Sequence, residues 1–77
     1  MGELDRIVMD PRVMGGKPCV KGTRVTAGMV VGLFAVGHTE SEVLDLYPYL
    51  TSEDVRQCLS YAAWRSEEYD LALKTSA

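Results

Sequence analysis

Two cysteines, one histidine, one tryptophan and one phenylalanine are all that 77 residues offer of the side chains that staple, ligate or anchor small folds. Two thiols without a framework of spacings make no disulfide scaffold. A single His, with no Cys-x-x-Cys pair and no carboxylate cluster, carries no zinc or calcium signature, so no metal or cofactor is expected. Long apolar runs are also missing. The longest, Ala27 to Val36, is interrupted by Gly28 and Gly32, whereas a membrane span needs about 20 residues. The opening Met-Gly-Glu-Leu-Asp-Arg has no basic stretch ahead of an apolar core, so a secretory signal is not expected. The free thiols suit a reducing, cytoplasmic setting.

What is present is one small domain. A chain of this size buries only about 60% of its unfolded surface, and a lone core below roughly 70–80 residues supplies about 3–5 kcal/mol. With disulfides and metals set aside, self-association is the remaining support, and at least a homodimer is expected. The net charge of −3 argues against indiscriminate binding to polyanions. That average conceals a division: residues 1–28 hold five cations against three acids, a surplus of +2, and residues 29–77 hold three cations against eight acids, a deficit of −5.

Residues 1–26 read as a strand-and-loop arm. Ile7-Val8-Met9 is a short strand candidate that Asp10-Pro11 terminates, because Pro fixes φ and pushes its predecessor away from helix. Met14-Gly15-Gly16-Lys17-Pro18 is a loop on its Gly and Pro content. Cys19-Val20-Lys21 and Thr23-Arg24-Val25 form a second strand candidate, bent at Gly22. Two short strands are marginal without packing partners, and strand exchange with a second protomer would complete them.

From Thr26 onward the signals are helical. Thr26 caps a helix from Ala27 to about Val36, and Gly37 stands where a left-handed terminal residue is wanted. This helix is apolar nearly all round, which implies burial on more than one side. Thr39-Glu40-Ser41-Glu42 is a capping box opening a second helix that Pro48 ends. Thr51 caps a third, with Ser52, Glu53 and Asp54 at the positive end of its dipole. Val55, Cys58, Leu59, Ala62, Ala63 and Tyr69 recur at three- and four-residue steps and define its expected buried stripe. Two helices joined by a Pro-bounded turn after a buried first helix make a three-helix unit of helix-turn-helix type, a pattern shared by many bundles that bind no DNA.

The run Asp10-Pro11-Arg12-Val13-Met14-Gly15-Gly16-Lys17-Pro18-Cys19-Val20-Lys21-Gly22-Thr23-Arg24-Val25, then an apolar helix, Gly37-His38-Thr39-Glu40 and Tyr47-Pro48-Tyr49-Leu50-Thr51, closely resembles a small prokaryotic family. It is known as domain of unknown function 433 and is treated as VapB-type antitoxin-like. The resemblance covers residues 5–68. It implies a mainly α, homeodomain-like helix-turn-helix fold with a short N-terminal strand segment, and a dimer. It further implies a PIN-like ribonuclease toxin held inactive in a type II toxin–antitoxin pair, with operator DNA as a further partner.

His38 has no neighbouring Ser or Cys in sequence with which to form a nucleophile–base pair, and no enzymatic activity is expected. Cys19 has Lys17 and Lys21 nearby, which would activate a thiol, but a buried strand Cys is the simpler reading. For DNA, the start of the third helix offers Arg56 for guanine and Gln57 for adenine, against Glu53 and Asp54, which would oppose phosphates. The arm offers Arg12, Lys17, Lys21 and Arg24 for phosphates, or serves only to build the dimer sheet. For a protein partner, Tyr61, Trp64 and Arg65 have the aromatic-plus-Arg composition of interface hot spots. Leu71 and Leu73 could extend the third helix into the partner. The expectation is an antitoxin-like binding protein; the alternative is a stand-alone dimeric helix-turn-helix regulator of transcription.

Overall fold

In the computed structural model, residues 4–76 are described, with side-chain surroundings for residues 4–66. Two antiparallel strands, β1 (Ile7–Val8) and β2 (Cys19–Val20), precede three helices, α1 (Ala27–Ala35), α2 (Glu40–Leu46) and α3 (Ser52–Ser76). This is the expected mainly helical fold with a short strand segment. The two strands pair with each other, Ile7 opposite Val20 and Val8 opposite Cys19. Their pairing is thus met within one chain, and their support comes from β1 lying against α3.

Each helix begins on a threonine. The Thr26 hydroxyl accepts the Met29 amide at 3.0 Å, while the Thr26 amide donates to the Met29 sulfur at 3.4 Å, a capping box closed by a thioether. At α2 the Thr39 amide donates to Glu42 Oε1 at 2.8 Å and the Glu42 amide to Thr39 Oγ1 at 3.2 Å. At α3 the same reciprocal pair joins Thr51 and Asp54, at 3.0 and 3.1 Å. The end of α1 is a Schellman motif, with the Gly37 amide on the Phe34 carbonyl and the His38 amide on the Leu33 carbonyl, both at 3.0 Å. Gly37 stands at φ 102°, a conformation that a side chain would oppose.

Val20 and Val25 from the arm, Ala27 and Val30 from α1, Val43 from α2, Leu50, and Val55 and Cys58 from α3 form the buried core. Within one chain, helix α1 buries Ala27 and Val30 and leaves Gly28, Met29, Gly32 and Ala35 exposed. One expectation needs correction. Along α3, Val55 and Cys58 are buried as expected, but Leu59 and Ala63 are exposed. The arm crosses the other side of the helix instead, so the polar Asp54 and Gln57 are buried there. Tyr69, Leu71 and Leu73 have side chains outside the described residues. Among the described residues, no helix is long and apolar enough to cross a membrane.

Candidate functional site

The first turns of α3 hold the arm in place. The Arg6 guanidinium donates through Nε to Asp54 Oδ1 at 2.7 Å, and the Arg6 amide donates to Gln57 Oε1 at 2.8 Å. Gln57 Nε2 in turn donates to Asp5 Oδ1 and Glu53 Oε2, each at 2.8 Å. Asp54 is 1% exposed and Gln57 2%. Burial pushes the Asp54 carboxyl up, but hydrogen bonds from Arg6 and the Thr51 amide outweigh it and hold the group below its ordinary range. Glu53 is drawn down to about 2, first by its hydrogen bonds from Arg56 and then by that from Gln57.

This arrangement revises the base-reading assignment. Gln57 has its oxygen and both amide hydrogens engaged inside the chain, so it presents nothing to a base edge. Arg56 remains exposed but is paired with Glu53 through Nε and a terminal guanidine nitrogen. Nothing in the sequence marks Arg6 and Asp5 as more than charge. The available hint was the spacing of Asp54 three residues after Thr51, which marks it as a capping partner.

The four arm cations do not converge. Arg12 is 89% exposed, but its amide and guanidinium all bond to Asp10, at 2.9–3.1 Å. Lys17 lies on the rim of a groove between α1 and α3. Lys21 and Arg24 do come together, on the tight turn that links Val20 to Val25. Thr23 pins that turn: its hydroxyl donates to the Val20 carbonyl at 2.9 Å and accepts the Val25 amide at 3.0 Å, while Gly22 supplies φ 79°. With Arg6 and Tyr49, this turn borders a concavity of about 600 Å³.

The three partner-binding candidates form one ledge on α3. The Tyr61 and Trp64 rings are 6.0 Å apart and tilted by 51°, and the Arg65 guanidinium sits 5.8 Å from the Trp64 ring centre. On one side, Leu4, Ile7, Met9, Tyr61 and Trp64 line an apolar hollow of about 220 Å³. On the other, Tyr61, Ala62 and Arg65 border the larger groove against Pro18, Met29 and Val31, of about 640 Å³. Tyr61 belongs to both. Trp64 and Met9 remain exposed, at 39% and 62%.

The histidine and the two thiols do not line the concavities beside the ledge. His38 Nδ1 is 3.5 Å from Glu42 Oε1, in the α1–α2 turn. Cys19 and Cys58 are both buried. Burial, together with Asp54 and Cys19, pushes the Cys58 thiol up to about 11, which leaves it protonated and unreactive near neutrality. Among the described residues, no group of three or more His, Cys, Asp or Glu is placed to hold a metal ion.

Comparison with known proteins gives a consistent picture. A crystal structure of a DUF433 member protein from Anabaena variabilis ATCC 29413 superposes with a TM-score of 0.77 at 28% identity, over 91% of this chain and 69% of that one. The uncharacterized protein y4eO of Sinorhizobium fredii (strain NBRC 101917 / NGR234) is 36% identical over 56 residues, which span 73% of this chain but 25% of that protein. The model of the family described as "Protein of unknown function (DUF433)" matches residues 7–62, from β1 to just past Tyr61 on α3, and the chain belongs to that family.

Proposed function

We propose that the protein is a non-enzymatic, antitoxin-like binding module that docks a PIN-like ribonuclease and holds it inactive. The observation that carries this reading is the Tyr61–Trp64–Arg65 ledge, where the exposed Trp64 ring, the half-buried Tyr61 ring and a guanidinium stand between two apolar concavities. Rigid aromatic anchors and Arg supply most of the energy at protein interfaces. Arg65, stacked beside Trp64, is also positioned to reach a carboxylate on the partner, a pairing that planar, bidentate geometry favours. The acidic character of residues 29–77 complements the basic surface that such a nuclease uses for RNA.

The module acts as a dimer in the cytoplasm in this reading. Helix α1 has no charged residue, yet Gly32 and Ala35 are exposed in a single chain, which supports association with a second copy. The alternative, a transcriptional regulator reading operator DNA with α3, is weakened by the burial of Gln57 and the pairing of Arg56 with Glu53.

The test begins with the adjacent open reading frame, which is expected to encode a PIN-like nuclease. Co-expression should restore growth that the nuclease alone arrests, and the two proteins should co-purify. A locus without such a gene, or co-expression without rescue, would contradict the proposal.

A further inference from the structure

The concavity beside the Lys21–Arg24 turn is separate from the α3 ledge, and it combines features that the ribonuclease reading does not use. Its rim carries two cations, Lys21 and Arg24, and among the described residues neither forms an ion pair. Arg6 contributes to the wall, but its charge is answered by Asp54. Across from them stands Tyr49, whose ring is 63% exposed and is braced by Tyr47 in an edge-on contact at 6.3 Å. The turn is rigid. Besides the Thr23 bonds, the Val20 amide donates to the Val25 carbonyl at 2.9 Å and the Lys21 amide to the Arg6 carbonyl at 2.7 Å.

We infer that this cleft, formed by Lys21, Arg24 and Tyr49, binds unpaired nucleotides of a single-stranded nucleic acid. The cations take the phosphates and the Tyr49 ring stacks on a base. An exposed ring beside a cationic rim fits a strand whose base faces are open, since stacking tolerates any base and needs no reading of edges. A duplex hides those faces, and the residues that would read its major groove from α3 are buried or paired within the chain. The cleft also localises positive charge in a molecule of net charge −3, which suits a short contact with a few phosphates rather than broad electrostatic coating. The inference does not depend on the ribonuclease reading and can fail without it.

The test is fluorescence anisotropy of the full chain with labelled oligothymidylate, oligouridylate and a mixed-sequence duplex of equal length, at about 50 mM salt, where phosphate contacts are strong. Single strands of either sugar should bind more tightly than the duplex. Tyr49→Leu should weaken single-strand binding by about tenfold and Tyr49→Phe should leave it near the parent value, as stacking requires. Lys21→Ala with Arg24→Ala should reduce the salt slope by about 1.4. Circular dichroism melting of each variant should match the parent, because all three side chains are exposed. Absence of single-strand binding, a duplex bound equally well, Tyr49→Leu without effect, or displacement by a polyglutamate peptide as effectively as by oligonucleotide would each overturn the inference.

Discussion

Gln57 shows how far a side chain's role depends on what covers it. On a bare helix it is an uncharged hydrogen-bonding residue at a position suited to adenine. Under the arm it accepts the Arg6 amide and donates to Asp5 and Glu53. Gln57→Leu keeps much of the volume but leaves the part-buried Arg6 amide without its partner, which costs about 1 kcal/mol. The expected result in urea denaturation is a lower midpoint of that size, with no change in oligonucleotide affinity. Asp54 adds a pH dependence. Its folded-state pKa lies below the unfolded value of about 3.9. Its contribution to stability is therefore complete above that value and fades as pH falls through the folded-state pKa. Asp54→Asn should be less stable than the parent at neutral pH, and the two denaturation midpoints should approach each other in acid.

At the scale of elements, the local signals were legible. Thr26, Thr39 and Thr51 marked helix starts because a cap and its partner lie three residues apart, within reach of a sequence reading. Gly37 marked the end of α1 for the same reason, since the left-handed turn it makes is set by neighbouring carbonyls. Gly37→Ala would force a side chain into φ 102° and should destabilise the fold by about 1–2 kcal/mol, read as a lower thermal midpoint. The arm's path over α3 was not legible. Arg6 and Asp54 are 48 residues apart in sequence, and no periodicity within α3 announces that a strand will lie along its polar side. That contact is why Leu59 and Ala63 are exposed and Gln57 is buried, against the apolar spacing of α3. The Tyr61–Trp64–Arg65 ledge was partly legible as composition, whereas the hollow beside it needs Leu4, Ile7 and Met9 from the far end of the chain.

For the whole molecule, the small core and the uncovered side of α1 bear on the proposed dimer. A Cβ placed at Gly32 meets no heavy atom within 4 Å, so Gly32→Glu adds charge to that side without disturbing the chain's own packing. Sedimentation equilibrium should give a dimer for the parent and a monomer for Gly32→Glu; a monomeric parent at micromolar concentration would remove the second copy. Lys21, Arg24 and Tyr49 border one concavity, and the α3 ledge borders two others. Binding of a protein partner at the ledge is the central claim. It is tested most directly by isothermal titration against the proposed partner nuclease, using the parent and Trp64→Ala with Arg65→Ala. Loss of two hot-spot side chains should weaken Kd by tenfold or more while the variant's melting temperature stays at the parent value; equal affinities for parent and variant would contradict it.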